Sequence, residues 1–208
     1  MYGIYSSGVG NTISNNRISG ISNTYASSTA NMYGIRTAAG TNTATFDTVT
    51  NLSLAGSGFV AGISMANGTA AVNNNIVNTV SNTGTGLAYG VKMDGNNCNV
   101  NTNTISGITA AAANVYGIYG GGNNATISIN KVSGITVSGG SSTAVRGISV
   151  LGTGTNTVYK NVINSVVHNG TTGALAVGIQ ANSTSTSTNI VNNMISNVTA
   201  NSSNNGTA

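Results

Sequence analysis

The chain has 208 residues, of which only 6 are Lys or Arg, 2 are Asp or Glu and 1 is His. Hydrophobic residues make up 39%, glycines number 29, proline and tryptophan are absent, and nearly all of the remainder is Asn, Ser or Thr. This is too apolar and too weakly charged for a disordered segment, and far below the usual quarter of charged residues, so little acid–base or metal-ligand chemistry is left for catalysis.

The net charge of +4 comes from Arg17, Arg36, Lys92, Lys131, Arg146 and Lys160, which stand singly. Nucleic-acid binding is therefore not expected, because no cluster can neutralise a run of phosphates. Cys98 is alone and forms no internal disulfide. No apolar stretch approaches a transmembrane span, so no membrane insertion is expected. The opening Met1–Ile4 is not a signal peptide. Any export signal for an extracellular or cell-surface protein would then lie outside this sequence.

Self-similarity organises the chain into a single domain of seven units, starting near residues 1, 32, 60, 88, 115, 145 and 176. Each unit opens on a short strand marked by Gly followed by Ile or Val. The glycines are Gly3, Gly34, Gly62, Gly90, Gly117, Gly147 and Gly178, at spacings of 31, 28, 28, 27, 30 and 31. A second strand follows, with an apolar residue at Ile13, Ala44, Val72, Val100, Ile127, Val158 and Ile190. Next comes a column of Asn16, Asp47, Asn75, Asn103, Asn130, Asn161 and Asn193. The third strand is an aliphatic–polar–small–aliphatic group, from Ile18 to Ile21 in the first unit and Ile195 to Val198 in the last. A mostly hydroxyl column, Ser22, Ser53, Ser81, Thr109, Thr136, Val167 and Thr199, closes the unit. Length varies after it, as in residues 23–30 and 168–175.

The apolar runs are too short for helices and rich in β-branched residues, with Gly or Asn every few positions, so the units predict strands and turns. Strands whose apolar residues recur in one column stack coil on coil at about 4.8 Å. Like residues then lie over like, and Asn amides chain along the axis. The Asn column is expected at the bend between two strands, in left-handed backbone that Asn tolerates. The absence of proline fits strands paired on both sides. Four aliphatic columns form the expected core: the residue after the repeat Gly, the one ahead of the Asn, and the two of the third strand. Tyr2, Tyr33, Ala61, Tyr89, Tyr116, Arg146 and Val177 precede the glycines. Their rings are expected to stack in two pairs as strand-edge packing rather than as a sugar platform, since the column breaks at Ala61.

The strings Asn11–Ile21 (NTISNNRISGI), Asn99–Ile108 (NVNTNTISGI) and Ala125–Ile135 (ATISINKVSGI), each after a Gly-Ile or Gly-Val strand, carry a resemblance. The chain resembles the right-handed parallel β-helix repeat of pectate-lyase-like folds and bacterial secreted surface proteins, over all seven units. The resemblance implies an all-β, right-handed parallel β-helix (β-solenoid) of about seven coils of roughly 28 residues, with three short strands per coil. That family includes lyases, hydrolases, adhesins and spacers, so the fold implies no single function.

Enzymes of that family are similar in using several carboxylates on one face. Here Asp47 sits in the Asn column and Asp94 in a loop, two units apart. His168 is expected as a surface histidine, and Cys98 stands outside any metal spacing. No catalytic, cofactor-binding or metal residues are expected. The strand before the Asn column offers an outward face with Thr12, Ser14, Thr43, Thr45, Asn73, Asn99, Asn101, Thr126, Ser128 and Thr157. The expected function is a non-catalytic extracellular structural or adhesive scaffold, with an ice- or carbohydrate-binding face as the alternative and a degenerate polysaccharide lyase or hydrolase as the second. The sequence starts on the first residues of a unit and stops where the next Tyr-Gly-Ile would fall. That suggests an excerpt of a longer repeat or a subunit that self-associates end to end. A glycan or ice surface is the other partner this pattern admits.

Overall fold

Short β-branched runs separated by Gly and Asn build strands of two to seven residues, and each lies beside its counterpart in the next coil. The computed structural model describes residues 1–140, 143–170, 173–181 and 185–201. It is an all-β parallel solenoid of about seven turns, about 29 residues per turn, with three parallel sheets and no helix among the described residues. The first sheet holds Tyr2–Ser6, Met32–Thr37, Val60–Met65, Ala88–Met93, Val115–Gly120, Ala144–Val150 and Leu175–Ala181. The second holds Thr12–Ser14, Asn42–Thr45, Ala70–Asn73, Asn99–Asn101, Thr126–Ser128, Thr155–Tyr159 and Ser187–Val191. The third holds Arg17–Ser19 with Ser22–Asn23, then Thr48–Leu54, Ile76–Asn82, Thr104–Ala110, Lys131–Val137, Val162–His168 and Met194–Ala200.

Register is strict, because a one-residue slip would turn every apolar side chain outward. Val100 pairs with Val72 below and Ile127 above, and Ile105 pairs with Val77 and Val132. The four expected aliphatic columns are buried throughout the middle coils. Three more columns face inward beside them. Met32, Val60, Ala88 and Val115 stand two residues before the repeat Gly. Thr37, Met65 and Met93 follow it, the Thr37 hydroxyl donating to Met65 Sδ at 3.0 Å. Leu54, Asn82, Ala110, Val137 and His168 end the third strand.

The third strand poses a geometric problem, since residues three apart in a regular strand point to opposite faces. The chain solves it with a left-handed residue between the two aliphatics: Gly20, Asn51, Thr79, Gly107, Gly134, Ser165 and Asn197 all have φ between 53° and 72°. This kink turns Ile105 and Ile108, like their counterparts, into one core.

The expected left-handed Asn is corrected. At the corner before the third strand the positive φ belongs to the preceding residue: Asn15, Phe46, Asn74, Thr102, Ile129, Lys160 and Asn192, at 55–59°. That residue points its side chain outward, even where it is Phe46 or Ile129, while in the middle coils the next residue turns its amide or carboxyl into the wall. Phe, Thr and Ile are costly in this backbone, and the hydrogen bonds of the residue behind them hold it there.

The repeat glycines have a different cause. A Cβ on Gly117 would lie 2.5 Å from Gly147 O in the next coil and 2.5 Å from Val132 Cγ1 across the interior. The glycine is there because the first and third sheets approach too closely for any side chain.

Candidate functional site

At the corner between the second and third sheets, the buried column forms a continuous ladder. The N–H and the Nδ2 of Asn75 both donate to Asn103 Oδ1, at 2.9 and 3.0 Å. Asn103 does the same to Asn130, Asn130 to Asn161, and Asn161 to Asn193. The second Nδ2 proton reaches the backbone of the preceding coil, as from Asn103 to Val72 O at 2.7 Å. The first rung, Asn16, donates both groups to Asp47 Oδ1. Asp47 breaks the pattern: its N–H donates to Asn75 Oδ1 at 2.9 Å, but its Oδ2 is buried without a partner. The whole ladder points one way, with donors facing the C-terminal end.

The outer rows of the second sheet align along the axis: Thr12, Thr43, Ala71, Asn99, Thr126 and Thr157 in one, and Ser14, Thr45, Asn73, Asn101, Ser128 and Tyr159 in the other. Thr12 and Asn99 are exposed, while Ser14, Thr43, Thr45, Asn73, Asn101, Thr126 and Thr157 are half-buried. Ser128 is buried and its hydroxyl donates to Asn101 Oδ1 at 3.3 Å. The rows are polar and uncharged, and Ala71 and Tyr159 interrupt them.

On the outside of the first sheet lies a second apolar cluster of Tyr33, Ala61, Tyr89 and Tyr116, with Phe59, Leu87 and Tyr119 against it. The two Tyr pairs stack as expected, Tyr2 on Tyr33 at 5.2 Å and Tyr89 on Tyr116 at 5.1 Å, both 8° from parallel. Phe59 fills the break at Ala61, edge-on to Tyr33 at 5.3 Å and to Tyr89 at 5.6 Å. Half of the chain's cations cover the rings. The Arg36 guanidinium is 4.6 Å from the Tyr33 centroid, Lys92 Nζ is 5.5–5.7 Å from Phe59, Tyr89 and Tyr119, and Arg146 is 5.2 Å from Tyr116. Burial raises the hydroxyl pKa of Tyr33, Tyr89 and Tyr119 above the ordinary value. Sugar binding by stacking needs an open ring face, and the stacked rings of Tyr33, Tyr89 and Tyr116 are buried against neighbours. The column cements coils together. The sequence reading missed Phe59, Tyr119, Arg36 and Lys92. For the last three the signal was a further column three residues after the Tyr column, Tyr5, Arg36, Ser64, Lys92 and Tyr119.

The remaining reactive groups are dispersed. Asp94 pairs with Lys92 at the surface, two coils from Asp47. Cys98 is buried in the column of Asn42, Ala70 and Ala125, and that burial raises its thiol pKa. His168 corrects the expectation of a surface histidine. It ends a third-sheet strand and is fully buried in register with Val137, its Nδ1 accepting the Gly170 N–H at 2.8 Å. Its Nε2–H therefore faces Thr143 Oγ1 at 2.7 Å, and burial lowers its pKa below 6.5. Neighbouring coils decide this burial, since the column seals whatever residue falls in it.

Compared with protein-family models, curated proteins and solved structures, the chain matches none.

Proposed function

We propose that the chain is a non-catalytic extracellular scaffold, a rigid β-solenoid with a structural or adhesive role at a surface or in a filament. The placement of its reactive groups carries this reading. Asp47 sits in the buried ladder, Asp94 on Lys92, His168 between Thr143 and Gly170, and Cys98 in a core column. Each of them serves coil-to-coil packing or a local ion pair. The Asn-, Ser- and Thr-clad outer rows suit an exported surface that meets water and sugars. The resemblance of the repeat strings supports the finer assignment to right-handed, pectate-lyase-like β-helices. Incubation with polygalacturonate, alginate and xylan tests the reading: unchanged chain lengths are expected, and cleavage of any of them would overturn it in favour of a degenerate lyase or hydrolase.

A second reading, an ice- or glycan-binding face, is favoured by the strict register of Thr12, Thr43, Asn99, Thr126 and Thr157 along the second sheet. A row of hydroxyls and amides, broken at Ala71, is what a repeating ligand would meet. Thermal hysteresis would support ice, and a glycan-array signal abolished by Thr126→Tyr would support an adhesin.

A further inference from the structure

We propose that the corner between the second and third sheets is a docking ridge for an anionic lipid-bilayer surface, on which the solenoid lies without crossing it; the inference rests on the adhesive form of the scaffold reading and names the surface. Two outward columns run along this corner. The left-handed column passes through Phe46, Asn74, Thr102, Ile129 and Lys160, each N–H donating to the next coil. Beside it the first residues of the third-sheet strands stack as Arg17, Thr48, Ile76, Thr104, Lys131 and Val162. Phe46, Ile76, Ile129 and Val162 are 59%, 47%, 48% and 40% exposed, although each has a coil on either side of it. Single exposed apolar residues are ordinary; the backbone makes two of these unusual. φ is 57° at Phe46 and 58° at Ile129, a conformation costly for Phe and a β-branched residue. Asn15, Asn74 and Asn192 turn the same corner in other coils. Phe46 and Ile129 therefore destabilise their corners, and neither side chain is buried to offset it. Strain that no packing offsets points to a use outside the fold.

Coiling also gathers cations that stand singly in the sequence. Lys160 lies over Ile129 and Val162 over Lys131, so exposed apolar and cationic side chains alternate around one four-residue patch. Arg17, also exposed, extends the positive charge to the first coil. The chain's two carboxylates do not offset it. Asp47 turns its side chain into the wall behind Phe46, and Asp94 pairs with Lys92 beside the first sheet. A second copy docked ridge to ridge would set cations against cations. A protein partner needs a face of about 800 Å², whereas this ridge is two columns wide, between polar rows through Asn73 and Asn101 on one side and Asn78 and Ser106 on the other. A fluid bilayer asks only for a few apolar side chains that enter the headgroup boundary and cations that stay among the phosphates. From Phe46 to Val162 the ridge covers four coil spacings, roughly 19 Å along the axis.

The test is co-sedimentation of the full chain with vesicles of phosphatidylcholine alone and of equimolar phosphatidylcholine and phosphatidylglycerol. Wild type is expected to pellet with the anionic vesicles only, and less in high salt. Lys131→Glu/Lys160→Glu should weaken binding roughly 25-fold or more, at about fivefold for each cation lost. Phe46→Asn/Ile129→Asn keeps every charge. Its melting temperature should rise by about 4–8 °C as the strain is relieved, while its affinity for anionic vesicles falls roughly tenfold. A more stable fold that binds less separates the ridge from any loss of structure. Wild type that ignores the anionic vesicles, or an Asn double variant that binds them as tightly as wild type, overturns the proposal. Binding to soluble polygalacturonate as tight as to vesicles, and undiminished in the Asn double variant, would assign the cations to an anionic chain and overturn it too. None of these results touches the scaffold reading, which polysaccharide cleavage alone would overturn.

Discussion

Asp47→Asn should stabilise the protein. Every internal Asn rung donates Nδ2–H both forward to the next Oδ1 and backward to a backbone carbonyl. At Asp47 the forward acceptor is Asn75 Oδ1, and the backward one, by analogy with Ala44 O and Val72 O, is Ile13 O. A carboxylate offers acceptors only, so Oδ2 lies buried with nothing to bond. An amide nitrogen in its place removes one unsatisfied buried atom and adds two hydrogen bonds. At about 1 kcal/mol net per bond, with about 1–3 kcal/mol for the orphaned group, and counting that burial only once, the gain is about 1–3 kcal/mol. For a chain of this size that is roughly 3–9 °C in melting temperature. The reverse exchange, Asn103→Asp, should cost about 2–4 kcal/mol, because it removes donors to Val72 O and Asn130 Oδ1. Thermal and urea unfolding of both variants is the assay. An unchanged or lower melting temperature for Asp47→Asn, with Asn103→Asp tolerated, would refute the ladder as the source of the column's Asn preference.

Val100→Asp or Ile127→Asp, each in a sealed core column, should cost about 3–5 kcal/mol and unfold several coils together; a melt like wild type would show that the column is misassigned. Gly117→Ala should cost about 1–3 kcal/mol through overpacking against Gly147 O and Val132, and an unaltered unfolding midpoint would show that the sheets have room to part. The His168 imidazole is held neutral by burial, so the unfolded chain takes up its proton first as pH falls. Its contribution should be complete above about pH 6.5, decline below it, and level off once the folded imidazole also protonates. His168→Val should abolish that slope between pH 7 and 5, and a slope that survives in this variant would place the titration elsewhere.

The repeat, the three strands per coil and their parallel register were legible because they write themselves seven times in residue type. What was not legible depends on direction rather than identity. Gly34 and Gly117 read as landmarks, but their cause, a first sheet lying against Val49 and Val132, exists only once the coil closes. The left-handed corner reads as Asn because Asn is common there, yet Phe46 and Ile129 carry the strained angle so that Asp47 and Asn130 can face inward. The column of Leu54, Asn82, Ala110, Val137 and His168 shares no residue type, so no periodicity betrays its burial. Phe59 fills the break at Ala61 from two residues upstream, which alternation in a strand allows but does not demand. The outer Thr, Ser and Asn rows were readable as rows; what meets them is a property of a partner.

In-register stacking also explains why so few residues are charged. A charge repeated in one column meets its copy about 4.8 Å away, and like charges at that distance repel by about 1 kcal/mol in water and roughly 3 in a half-buried wall. Six such contacts along seven coils would outweigh the marginal stability of an ordinary domain. The cations obey this limit. Arg36 and Lys92 share a column with Ser64 between them, and Arg17 and Lys131 share another four coils apart. Asn, Ser and Thr can repeat indefinitely, because each donates and accepts toward its own kind. Thr104, exposed and in register with Lys131, separates this explanation from simple avoidance of charge. Thr104→Lys should destabilise by about 1 kcal/mol, with the loss relieved by salt, while Thr104→Glu should be neutral or gain about 0.2–1 kcal/mol. Equal losses from Lys and Glu would mean that the wall rejects charge as such, and the register argument would fail.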